Sequence, residues 1–99
     1  MIAPEACTTM SEVRAGVDAL DKQIVTLIAA RARFMEAAAR IKSRRGQVRD
    51  EARKAAVVAN ALEVAAREGA PAALVHDVYE ALVEGSIAYE LERFDALAG

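Results

Sequence analysis

Arg31 stands in line with apolar residues, Leu27 four positions before it and Phe34 three after. A guanidinium on such a stripe either pairs with a carboxylate of another helix, snorkels to water from the end of a core, or meets an anionic ligand. Lys42 lies eleven residues on. At ~100° per residue it points within about 20° of Arg31, some ~16 Å further along the axis. Two cations thus share one helical face, and their long side chains can narrow that separation from both ends. Arg14, seventeen residues before Arg31, is turned about 100° from that face. It is either a solvated arginine early in a helix or, in a pair of long antiparallel helices, a contributor to the partner's site. Ser86 and Glu90 continue at four-residue steps a line begun by Val78 and Leu82, so they face a site or mark the line's drift to the surface. Asp50 and Arg53 open another helix, as a cap and a solvated first-turn cation or as ligand contacts.

The elements that must position these residues are helical. Thr9 followed by Glu12 has capping-box spacing. Val13, Val17, Leu20, Ile24, Leu27, Phe34, Ala38 and Ile41 then recur at helical steps, with no Gly or Pro from Val17 to Arg45. Gly46 is expected to close this first helix behind Arg44 and Arg45. Asp50 is expected to cap a second helix running to Glu68, with Gly69 as its stop. Pro71 suits the first turn of a third, whose apolar face comprises Val75, Val78, Tyr79, Leu82, Val83, Ile87, Leu91 and Phe94. The expected class is all-α, one domain over 1–99 with residues 1–8 as a flexible tail. A first helix of about 35 residues would be roughly 50 Å long, against a radius of gyration of ~13 Å for a compact chain of this size. Its stripe needs cover from a second copy, which predicts a homodimer of paired long helices.

Composition narrows the function. Hydrophobic residues are 55% and charged residues 28% of 99, with 5 Gly, 2 Pro and 4% aromatics, so disorder and a turn-rich β fold are both poor fits. A net charge of −2 gives no global field for nucleic acid or an anionic membrane, and any anion site must be local. One cysteine, Cys7, cannot form an internal disulfide, and the opening residues lack a secretory signal pattern. A cytoplasmic protein is expected. His76 has no second metal ligand or nucleophile near it in sequence and reads as a surface residue. Metal spacing, a Gly-rich phosphate loop and a nucleophilic constellation are all missing from the sequence.

From Pro4 to Phe94 the sequence resembles the all-α chorismate mutase family and its relatives, the isochorismate-pyruvate lyases. VRAGVDALDKQIVTLIAARARFMEAAARIK carries the family's opening, its internal arginine and its terminal lysine. VRDEAR resembles the mutase VRD with the arginine that follows, and SIAYE the polar pair of the last helix. The resemblance implies an intertwined homodimer of three-helix chains and no cofactor or metal. It implies a cationic wall of Arg31, Lys42 and Arg53, with the partner's Arg14 completing the site. Asp50 falls at the ring-hydroxyl contact, Ser86 at a carboxylate contact and Glu90 at the ether oxygen. Lys54 stands where many mutases have a glutamate, and Glu90 where glutamine is commoner. The opening PEACTTMSEVR resembles the lyase branch, whereas VRD and Ser86 resemble the mutase branch.

The implied substrate has two carboxylates, an enolpyruvyl ether and a cyclohexadiene ring, and rearranges in one concerted step. Such a step needs a folded conformer and stabilisation of charge on the departing ether oxygen, which arginines and a lysine supply. The implied activity is conversion of chorismate to prephenate in aromatic amino-acid biosynthesis. The alternative within the family is a lyase releasing salicylate and pyruvate from isochorismate. The alternative outside it is a non-catalytic helical dimer that serves as an interaction module.

Overall fold

The computed structural model describes residues 2–99; Met1, the first residue of the expected tail, lies outside them. Three α-helices carry the chain, α1 (Met10–Ile41), α2 (Glu51–Glu68) and α3 (Ala72–Ala98), and no strand occurs among the described residues. Short 3-10 turns lie at Pro4–Ala6 and Arg45–Gln47. Residues up to Arg33 form one compact unit and Phe34–Gly99 another.

In the first unit, α1 begins on the expected capping box. Thr9 Oγ1 accepts the Glu12 N–H at 3.2 Å, and Glu12 Oε1 accepts the N–H groups of Thr9 and Thr8, each at 3.0 Å. These bonds, the Thr8 amide foremost, hold the Glu12 carboxyl below its ordinary range. The stripe that follows is open to solvent: Val13, Val17, Leu20, Ile24 and Leu27 are all exposed. Leu27 reaches 69%.

In the second unit, Val48, Val83 and Ile87 are buried together, with Val57, Leu91 and Phe94 packed around them. Full burial of each such side chain contributes roughly 1.5–3 kcal/mol. The end of α1 differs from expectation, for the helix stops at Ile41 and not at Arg45. Gly46 is no left-handed cap, since Gly69 alone among the described residues has positive φ. The early stop follows from what comes next. Gln47 Oε1 takes the N–H groups of Ser43 and Arg44 at 2.9 and 3.0 Å, Arg45 pairs with Asp95, and Val48 is buried. A helix continued to Arg45 would forfeit those side-chain bonds to the turn's backbone and the seat of Val48 in the core. Of the stripe residues of this unit, Phe34 and Ile41 are 73% and 76% exposed, and Ala38 is half-buried.

The start of α2 agrees with the sequence: Asp50 Oδ1 accepts the Arg53 N–H at 2.9 Å. So does its end, where Gly69 adopts φ 70° and ψ 26° in the left-handed region. Pro71 is the cap of α3 and Ala72 its first helical residue. On α3 the core face is carried by Val83 and Ile87, whereas Val78, expected on that face, is exposed.

Candidate active site

Lys42 lies one residue beyond α1, its N–H still bonded to the Ala38 carbonyl at 2.9 Å. The site is centred on its side chain. Lys42 Nζ donates to Glu90 Oε2 at 2.7 Å, across 48 residues of sequence. Glu90 is 4% exposed, the buried charged residue of the unit, and sits one turn after Ser86 on α3. Burying a carboxylate costs several kcal/mol unless a charged partner and hydrogen bonds offset it, which Lys42 does here. The polar line Ser86–Glu90 therefore does not drift to the surface. Ser86 is half-buried, and its Oγ donates to the Leu82 carbonyl at 2.6 Å.

A second bond joins the same two segments. Tyr89 donates its hydroxyl to Glu36 Oε2 at 2.6 Å, and that bond raises the tyrosine's pKa above the ordinary range. The last turns of α1 are thus tied to α3 at adjacent residues, Tyr89 and Glu90, which fixes where Lys42 emerges.

Asp50 and Arg53 share the first turn of α2. Both are exposed, and the Arg53 guanidinium takes no part in the ion pairs formed around it. The cations on either side of this turn are engaged. Arg49 donates to Glu84 at 2.8 Å and to Glu51 at 2.9 Å, while Lys54 meets Glu80 and Glu84, each at 3.0 Å. With Arg49 first and Lys54 second as hydrogen-bond donors, the Glu84 carboxyl is held down to about 2. The same contacts raise the pKa values of Arg49 and Lys54. Arg14 and Arg31 both belong to the first unit, Arg14 exposed and Arg31 half-buried on α1.

Of the residues singled out in the sequence, Lys42 and Glu90 meet directly, Ser86 adjoins them on α3, and Asp50 and Arg53 form a separate pair on α2. Sequence reasoning missed Glu84, Glu80 and Arg49. A signal existed: Glu80 and Glu84 form a four-residue acidic step on α3, and Arg49 and Lys54 flank the α2 cap. His76 is exposed beside Asp77 and Glu80, and no group of residues fit to hold a metal ion occurs among the described residues.

The described residues thus form an all-α chain in which half-buried Lys42 pairs with buried Glu90, and in which the Arg53 guanidinium at the start of α2 enters none of the ion pairs around it. The chorismate mutase type II family model matches residues 13–91, and the chain belongs to that family. Its activity is the family's, the isomerisation of chorismate to prephenate. No curated protein matches the chain. Among the described residues, no helix is long and apolar enough to cross a membrane.

Proposed function

We propose that the chain rearranges chorismate as a homodimer with two shared sites, each lined by Arg31, Lys42, Asp50, Arg53, Ser86 and Glu90 of one protomer and by the partner's Arg14. Support comes first from buried Glu90, paired at 2.7 Å with half-buried Lys42, a costly arrangement for a small protein unless the charge has a task. Arg53 adds a cation with no carboxylate of its own. On α1, Val13, Val17, Leu20, Ile24 and Leu27 lie exposed along one stripe, and the same stripe on a second copy is its simplest cover.

The reaction breaks the ether C–O bond and forms a C–C bond in one cyclic movement of electrons, with no proton transfer. The work of the protein is to hold the folded conformer and to stabilise the ether oxygen as it gains charge. Arg31 and the partner's Arg14 hold the two carboxylates, each through two parallel N–H bonds. Ser86 donates to a carboxylate once its hydroxyl turns from the Leu82 carbonyl, and Asp50 accepts from the ring hydroxyl. Lys42 places its ammonium at the ether oxygen, which shares that lysine with Glu90. An ionised Glu90 repels the oxygen, whereas a protonated one donates to it. The lone thiol, Cys7, suits a reducing compartment such as the cytoplasm.

Incubation of the pure protein with chorismate and, separately, with isochorismate tests this reading. Prephenate from chorismate is expected. Salicylate and pyruvate from isochorismate, without prephenate from chorismate, would assign the lyase reaction, to which the opening PEACTTMSEVR has its likeness. No turnover, with no saturable stabilisation by a dianionic chorismate analogue, would leave a non-catalytic helical module.

A further inference from the structure

Two cations flank the residues that α2 brings to the site, Arg49 directly before Asp50 and Lys54 directly after Arg53. Both reach one carboxylate of α3. Glu84 Oε1 accepts from Arg49 Nη2 at 2.8 Å, and Glu84 Oε2 accepts from Arg49 Nη1 at 3.1 Å and from Lys54 Nζ at 3.0 Å. Glu80 Oε2, one turn earlier, lies 3.0 Å from the same lysine. The first turn of α2 is therefore gripped on both sides by α3. Glu84 lies six residues before Glu90, which at ~100° per residue turns it about 120° away. The clamp and the buried pair use different faces of one helix.

We infer that Glu84 is a positioning residue of the substrate site, holding Asp50 and Arg53 in place from behind, and that Lys54 belongs to this clamp and not to the substrate wall. The inference rests on the reading of Arg53 as a substrate contact. A lone exposed ion pair would be too weak for this role. A bidentate arginine and a lysine converging on one carboxylate fix an orientation as well as a distance. Arg53 meets a substrate carboxylate that is present before and during the reaction, so its displacement weakens ground state and transition state alike. The loss falls on KM, with kcat kept.

Steady-state kinetics on Glu84→Gln, Lys54→Glu and Arg53→Ala, each checked for folding by thermal melting, test the inference. Glu84→Gln is expected to raise KM roughly three- to tenfold with kcat within about twofold. Lys54→Glu sets a third carboxylate against Glu80 and Glu84 and is expected to raise KM further. Should Glu84→Gln fail to fold, Lys54→Gln loosens the same grip from the α2 side, with the same expected rise. Wild-type KM in a folded Glu84→Gln, while Arg53→Ala raises KM, would overturn the clamp and leave the substrate wall standing. A lower KM in Lys54→Glu would overturn it too, by placing position 54 against the substrate. An unchanged KM in Arg53→Ala would remove the wall itself and the clamp with it.

Discussion

At the scale of single residues, Lys42 and Glu90 hold opposite charges 2.7 Å apart with the glutamate buried, so neither can be changed without stranding the other. Removing the lysine from a folded chain leaves a buried carboxylate without its cation, a loss of about 3 kcal/mol or more. Glu90→Gln is milder, because its amide oxygen still accepts from Lys42. That variant also donates a hydrogen bond at every pH. At saturating chorismate, Glu90→Gln is expected to keep most of the wild-type turnover, because it still accepts from Lys42 and can donate to the ether oxygen, whereas Glu90→Ala is expected to lose most of it. A folded Glu90→Ala that turns over chorismate at the wild-type rate would remove the ether-oxygen role from Glu90. Glu84 makes a separate prediction. Its carboxyl is held at about 2 against an ordinary 4.5, so the stability it contributes is present above 4.5 and is lost as pH falls from there towards 2. Urea unfolding at stepped pH is expected to show a shallower acid loss in Glu84→Gln than in wild type, and equal slopes would contradict it. Exposure and salt keep this contribution small. Each residue of the Lys42–Glu90 pair was legible in the sequence from its own helix, Lys42 from the face it shares with Arg31 and Glu90 from the line of Val78 and Leu82. Their meeting followed from the family resemblance alone, because a contact across 48 residues depends on how helices pack, which periodicity does not encode.

Among the elements, local signals located most helix ends. Thr9 and Glu12, Asp50, and Gly69 all stand where capping chemistry puts them, since each cap is a bond or a dihedral within a few residues of sequence. The end of α1 was misplaced because Gly46 and two preceding arginines imitate a cap. What decided it was Val48 entering the core and Arg45 meeting Asp95, both distant in sequence. The two glycines consequently respond differently to substitution. Gly69→Ala is expected to cost ~1 kcal/mol through its left-handed backbone alone, since nothing lies within 4 Å of an added Cβ. Gly46→Ala, with the same open space and no positive φ, is expected to be neutral to slightly stabilising. Urea titration of the two variants checks this, and equal losses would show that Gly46 closes α1 after all.

For the whole molecule, composition and the 3.6-residue period sufficed for an all-α chain, and the long apolar stripe of α1, interrupted at Arg31, predicted a second copy. The exposure of Val13, Val17, Leu20, Ile24 and Leu27 in the first unit supports the proposed dimer, because a second copy would take this apolar surface out of water. The sequence placed Arg14 out of line with Arg31 on the same helix, which assigns the two arginines to one site only if two chains contribute. Mixing complementary variants tests this most directly. Arg14→Ala and Arg31→Ala chains, each nearly inactive alone, are refolded together in equal amounts, and chorismate turnover is measured once heterodimers have been verified. Each heterodimer then holds one intact site, with Arg31 from one chain and Arg14 from the other, and the mixture is expected to recover about a quarter of wild-type activity. No recovery in the presence of verified heterodimers would contradict the shared site.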